Sequence, residues 1–252
     1  MTRRARMVLL AVGAAGVAVL FGLAFARMPA FGGVVHLYRD LAVKAAVAHR
    51  TANVVSAVNF DQRALDTLGE ETILIGSVAG AAVLLRPSED EAQGSPPATG
   101  RTLEVTRLAG YLLLPVTLIV GFSVIAHGHL TPGGGFQGGV VLATGLHLLY
   151  VTGSYRALGR LRPLDLYDAG DAVGAALFAA LGLAGIAVAG EFLANVVHQG
   201  TFGELVSAGT VPLLSIAVGV EVSCGMVVLL AHFLDQEMAV HVQGRPGRAG
   251  PS

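Results

Sequence analysis

LAGYLLLPVTLIVGFSVIAHGHLTPGGGFQGGVVLATGLHLLYVTGSY, residues 108–155, runs for 48 positions without an Asp, Glu, Lys or Arg. A soluble two-layer fold cannot hide such a stretch, whereas a membrane span takes about 20 apolar residues. The whole chain agrees: of its 252 residues 54% are hydrophobic and 13% charged, against about 25% charged in soluble domains. Gly occurs 34 times, nearly twice its usual share of about 7%, which suits close helix approach and broken helices in lipid. The apolar content excludes intrinsic disorder. A net charge of −1 argues against nucleic-acid binding by bulk charge. A single cysteine, Cys224, makes no intrachain disulfide and no Cys-based cluster. No cofactor is therefore expected, and the redox compartment is unreadable from cysteine. With no Trp in the chain, an aromatic belt must use Tyr and Phe.

Outward from that run, the other segments fall into place. Met7–Ala26 carries no charge and follows Arg3, Arg4 and Arg6. Ala24-Phe25-Ala26 has the form of a signal-cleavage site, but the apolar region exceeds the usual h-region of about 7–15 residues. A retained span is the preferred reading. His36–Phe60 mixes Arg39, Asp40, Lys44, His49 and Arg50 with Leu37, Leu41, Val43 and Val47, the pattern of an interfacial amphipathic helix. Thr72–Leu85 has no charge, yet as a helix it reaches only about 21 Å, short of the roughly 30 Å hydrocarbon core. Leu68–Thr72 must then lie in or at the membrane, with Glu70 and Glu71 near hydrocarbon depth. Pro87–Gly100, PSEDEAQGSPPATG, reads as a solvent-exposed linker. Ala109–Ala126, Gly138–Gly153, Ala172–Gly190 and Val211–Phe233 are further spans. The expectation is an all-α polytopic membrane protein with about six transmembrane helices plus an interfacial helix. Its organisation is a two-span segment (1–86), a linker (87–104), a four-span domain (105–237) and a disordered tail (238–252). With both termini cytoplasmic, the inside segments hold eleven Arg, and five basic residues fall outside, all in the first connection.

Four features carry candidate chemistry. Thr131-Pro132-Gly133-Gly134-Gly135-Phe136, followed by Gly138 and Gly139, joins the third and fourth spans. It reads either as a tight hairpin with close helix packing or as a broken helix lining an ion path. Glu221 is the only charge in Leu205–Leu234. It reads either as a proton-relay or cation-path group, or as a protonated acid hydrogen-bonded across helices. His147, within the fourth span, is either a proton shuttle or a neutral hydrogen-bonded group. Glu70-Glu71 invites comparison with a Glu-Glu-x-x-x-Arg intramembrane protease, but Ile75 stands where the Arg belongs. No HExxH or other catalytic constellation exists, and the histidines lack zinc-site spacing. The expectation is no enzyme and no metal site.

Two stretches resemble a known family. Asn53-Val54-Val55, followed by Asp61-Gln62-Arg63-Ala64-Leu65-Asp66-Thr67-Leu68-Gly69-Glu70, resembles a segment near the C-terminus of the large A-type component of Mrp-type multisubunit cation/proton antiporters. The same segment occurs as the separate E-type component of membrane-bound hydrogenases. Asp61, Arg63, Asp66, Thr67, Leu68, Gly69 and Glu70 match its pattern. Gln62 and Ala64 depart from the aromatic and glycine of that pattern, and Glu71 replaces an apolar residue. Gly128–Gly139, with TPGGGFQGG, resembles the signature of the B-type antiporter component, the MnhB-type domain. The resemblance implies an E-type segment fused to a B-type one. It implies other membrane subunits of the same antiporter-type complex as partners, Na+ and H+ as transported ions, and a multi-pass place in the cell membrane. It implicates Glu70 in the ion path, with Asp66 beside it in the motif. Glu70 and Glu221 are then expected to flank a hydrated path at a subunit interface. An ion-pumping hydrogenase-type complex, a stand-alone solute carrier and a purely structural scaffold are the competing readings.

Overall fold

The computed structural model describes residues 3–28, 36–85, 103–152 and 164–243. Every regular element among them is a helix. The chain divides into two compact units, Met1–Asp40 and Leu41–Ser252. The first carries α1 (Arg3–Ala26), whose large apolar side chains are exposed along its length, as in a helix that meets lipid all round.

In the second unit the amphipathic segment is broken where the sequence suggested one continuous helix. α2 (Leu37–Ala48) ends in a two-bond cap: Arg50 N–H donates to the Val47 carbonyl at 3.1 Å and Thr51 N–H to the Ala46 carbonyl at 2.9 Å. Arg50 takes the left-handed position, φ 59°, that glycine usually fills. Asn53 then caps α3 (Val54–Ala57), accepting from the Val55 and Ser56 amides. A π-turn follows over Val58–Gln62, and Arg63 (φ −138°, ψ 37°) separates it from α4 (Ala64–Leu84). The Thr67 hydroxyl donates to the Asn59 carbonyl at 2.7 Å, tying the π-turn to the next helix. His49 and Asp61, 2.5 Å apart, tie α2 to the same turn.

α4 has 21 residues, about 31 Å of helix, so Glu70 and Glu71 fall inside the spanning length. α5 (Glu104–Ala126), α6 (Gly135–Val151), α7 (Leu164–Ala189) and α8 (Val211–Gln243) complete the bundle. Among the described residues five helices are long and apolar enough to cross a membrane, and α6 is an apolar but shorter sixth. The chain has an all-α polytopic membrane fold. α8 is the axis of the second unit, with α4, α5, α6 and α7 packed around it. Its Val211, Leu214, Ala217, Val218 and Val222 form the core with Phe60 and Phe178. α8 stays helical through Gln243, so part of the segment expected as a tail from 238 is helix; residues 244–252 and the Pro87–Gly100 linker lie outside the described residues. The loop between α7 and α8 is packed, not loose. Asn195 donates to the Ala208 carbonyl and accepts from the Thr210 amide, which fixes the start of α8.

Candidate functional site

The site begins at the glycine loop. Gly133 and Gly134 have φ of 136° and 151°, backbone that only glycine adopts without strain. Gly135 opens α6 directly against α8, where an added Cβ would lie 2.8 Å from Val218 Cβ and would strike the Ser215 carbonyl. Gly138 faces the Gly121 carbonyl on α5, and Gly139 faces the Gly219 carbonyl on α8. The head of α6 is thus wedged between two helices by three glycines. The loop is a tight hairpin with close helix packing.

The turn between α5 and α6 leaves carbonyls without helical partners. Asn53 satisfies three of them. Its side-chain amide donates to the Gly128 and Thr131 carbonyls, each at 2.8 Å, and its backbone N–H donates to the His129 carbonyl at 2.9 Å. The two segments that carry the family resemblance are therefore bonded to one another. His129 is fully buried, with Nε2 3.1 Å from the Leu205 carbonyl in the loop between α7 and α8. Burial pushes the His129 imidazole below its ordinary value of 6.5.

Between the π-turn, the first turns of α4 and the loop lies a cavity of ≈ 430 Å³. Asn59, Thr67, Glu70 and Glu71 line one side, and Gly133–Gln137 with Val218 line the other. Glu71 stands at its inner end. It is 2% exposed, and on the facing helix Glu221 is wholly buried. Glu71 Oε2 and both Glu221 oxygens have no hydrogen-bond partner. Asp171 of α7 is 9% exposed, with Oδ1 likewise unpartnered. Glycines bring these groups together: Gly174 of α7 packs on the Glu221 backbone, and Gly225 of α8 packs on Asp171 Oδ1. Unpaired charges at such depth cost several kcal/mol each. Intramembrane acids of this kind mark ion and proton paths.

Of the residues singled out in the sequence, Glu70 is exposed on the cavity wall and Asp66 is exposed and paired with Arg63. His147 is half-buried on α6 beside the Met226 backbone of α8, with Nε2 unpartnered. Thr131 donates its hydroxyl to the His127 carbonyl at 3.2 Å. Phe136 and Gln137 line the cavity. Sequence reasoning did not single out Asp171. The signal was present: Asp165, Asp168 and Asp171 recur every three residues at the start of an otherwise apolar helix, and Asp171 is the deepest. Among the described residues no three His, Cys, Asp or Glu side chains converge as a metal centre.

Comparison with known proteins agrees with this architecture. Residues 105–228 match the family described as a domain related to the MnhB subunit of Na+/H+ antiporters. An uncharacterized protein of Methanocaldococcus jannaschii is 32% identical over 198 residues, covering 69% of this chain and 74% of that protein. A protein of Rhizobium meliloti described as the probable A/B component of a K+/H+ antiporter is 27% identical over 175 residues, covering 61% of this chain and 17% of that protein. Among solved structures, a chain of the membrane-bound sulfane sulfur reductase, an archaeal respiratory membrane complex, superposes with a TM-score of 0.70 at 26% identity. The match covers 91% of this chain and 98% of that one. A chain of the Mrp complex from a Dietzia species superposes with a TM-score of 0.68 at 24% identity, covering 98% of this chain and 27% of that one. The two structural neighbours belong to membrane complexes. With the M. jannaschii relative covered over most of its length and the domain match taking in the glycine loop, the chain belongs to the family of membrane proteins related to the MnhB subunit of Na+/H+ antiporters.

Proposed function

We propose that this chain is a membrane subunit of a multisubunit cation/proton antiporter. It packs beside other membrane subunits of the complex and contributes to the ion translocation path. The observation that carries the reading is the cavity: the two family-like segments, locked by Asn53, border a space whose lining includes Glu70 and the buried Glu71. In this role the chain conducts and positions and is not an enzyme. Na+ and H+ are the proposed ions, and Glu70, exposed on the cavity wall, is the proposed point of ion entry. The basic-residue distribution supports cytoplasmic termini in a cell membrane.

Deleting the gene should abolish cation-dependent proton release from everted membrane vesicles. Purification in mild detergent should bring down large antiporter-like subunits, identified by mass spectrometry. A chain that purifies alone, under conditions that keep other complexes whole, would sink the proposal and favour a solitary carrier. A second reading has its own support. The respiratory-complex chain is matched over 98% of its length, so redox subunits in the same purification would place this chain in a redox-driven ion pump.

A further inference from the structure

We propose that Glu71, Glu221 and Asp171 hold protons in succession, forming a wire through the bundle core that is loaded from the cavity under the glycine loop. The proposal deepens the ion-path reading and rests on it for its place in transport. The wire uses two positions, Glu71 and Asp171, that the family-like motifs do not include. At Glu71 the chain departs from the pattern it otherwise resembles.

Geometry supports the order of the three groups. Glu71 is the only one of them that lines the cavity. Glu221 faces it from α8 and has no opening of its own, being fully buried. Asp171 packs on Gly225, four residues beyond Glu221 and so about one helical turn further along α8. Gly174, one turn from Asp171 on α7, sits on Glu221 itself. All three side chains are at least nine-tenths buried, and four of their six carboxyl oxygens have no partner.

Such oxygens must be neutralised by a proton or a cation. The surroundings favour the proton. The titratable neighbours on the same helices are Glu70 on α4, Asp168 on α7 and Cys224 on α8, acids and a thiol, and α4, α6, α7 and α8 carry no Lys or Arg. An alkali cation needs several oxygens at once, but the nearby carbonyls of α4, α7 and α8 are committed to their helices. Among the described residues no third acidic side chain converges with the pair as a metal ligand.

The transfer balances simply. At rest all three acids are neutral. Asp171 releases its proton and becomes a carboxylate. The Glu221 O–H bond breaks as one forms on Asp171, directly or through one water. The Glu71 O–H bond then breaks as one forms on Glu221, and a proton from the cavity makes Glu71 neutral again. The net event is one proton taken from the cavity and one released at Asp171, and no other bond changes.

The test is infrared spectroscopy on the complex purified from native membranes, reading the C=O stretch of protonated carboxyl groups in H2O and D2O. At neutral pH the wild type should show this band, shifted in D2O. Glu71→Gln, Glu221→Gln and Asp171→Asn should each remove part of it. In vesicles holding the assembled complex, each variant should slow cation-driven proton movement by about two orders of magnitude, the low end of what a positioned proton-transfer group contributes. Absence of the band in wild type at neutral pH overturns the proposal without any variant. So does a band that survives all three substitutions, or one bleached by Na+ or K+ at fixed pH, which would mark a cation site. Wild-type proton movement in an assembled Glu71→Gln complex also overturns it. The infrared result needs no antiport activity, so failure of the antiporter reading would show separately, as an active-looking band in a complex that exchanges no ions.

Discussion

Asn53 uses both ends of its amide. The oxygen caps α3, and the nitrogen satisfies two carbonyls of the glycine loop. Losing a cap costs about 1 kcal/mol, and stranding the carbonyl of the buried Gly128 costs about another; Thr131 is exposed, so its carbonyl adds little. Asn53→Ala should therefore destabilise the purified protein by about 2 kcal/mol, read as a fall in Tm. Asn53→Ser keeps a capping oxygen and should recover about 1 kcal/mol of it. His129 supplies a pH dependence. Its imidazole sits below the ordinary 6.5 because burial disfavours the charged form, so as pH falls the unfolded chain binds the extra proton first. Stability from this group is full above 6.5 and is lost as pH falls toward its lowered folded value. Wild-type Tm should drop on acidification through that window more steeply than that of His129→Gln. Equal slopes would mean the ring is not held neutral.

Helix ends decide the elements here. α2 stops at Arg50, a non-glycine residue at φ 59°, a position that costs an L-residue roughly 1–2 kcal/mol. Its side chain is exposed, so little opposes the change to glycine. Arg50→Gly should raise Tm, by a net gain of about 0.5–1 kcal/mol after glycine's own entropy cost. The head of α6 behaves oppositely. A Cβ at Gly135 meets Ser215 and Val218, and overpacking of this kind costs about 1–3 kcal/mol. Gly135→Ala should lower Tm and weaken assembly of the loop. Gly69, with nothing near its Cβ direction and within α4, should accept alanine without loss.

At the scale of the molecule, the expected topology puts both termini and the Pro87–Gly100 linker on one side of the membrane. In a Cys224→Ser background, Ser252→Cys and Ser95→Cys should react with an impermeant maleimide only in inside-out vesicles. The outer-loop variant Thr201→Cys should react only in right-side-out ones. Labelling of Ser95→Cys and Thr201→Cys from the same face would overturn the six-crossing arrangement.

Much of this protein is written locally. Hydrocarbon thickness demands about 20 apolar residues per crossing, so charge-free runs disclose the spans, and α4, α5, α7 and α8 lie where those runs lie. The glycine loop and the segment around Asn53 were each visible as motifs. Three things were not. The break at Arg50 is invisible because the apolar pattern of Leu37–Val47 does not say where a helix stops, and the left-handed residue is not a glycine. The choice between Glu70 and Glu71 is one of rotation: neighbours on a helix point about 100° apart, and only the packing of α4 on α8 turns Glu71 inward and leaves Glu70 on the cavity wall. The placing of Glu71, Glu221 and Asp171 in one core brings in residues far apart in the chain, through close helix approach that Gly174 and Gly225 permit. Span number and membrane class follow from single-segment hydrophobicity. Which acids share one dry interior follows from how closely helices approach and how each is turned, and that belongs to the tertiary structure alone.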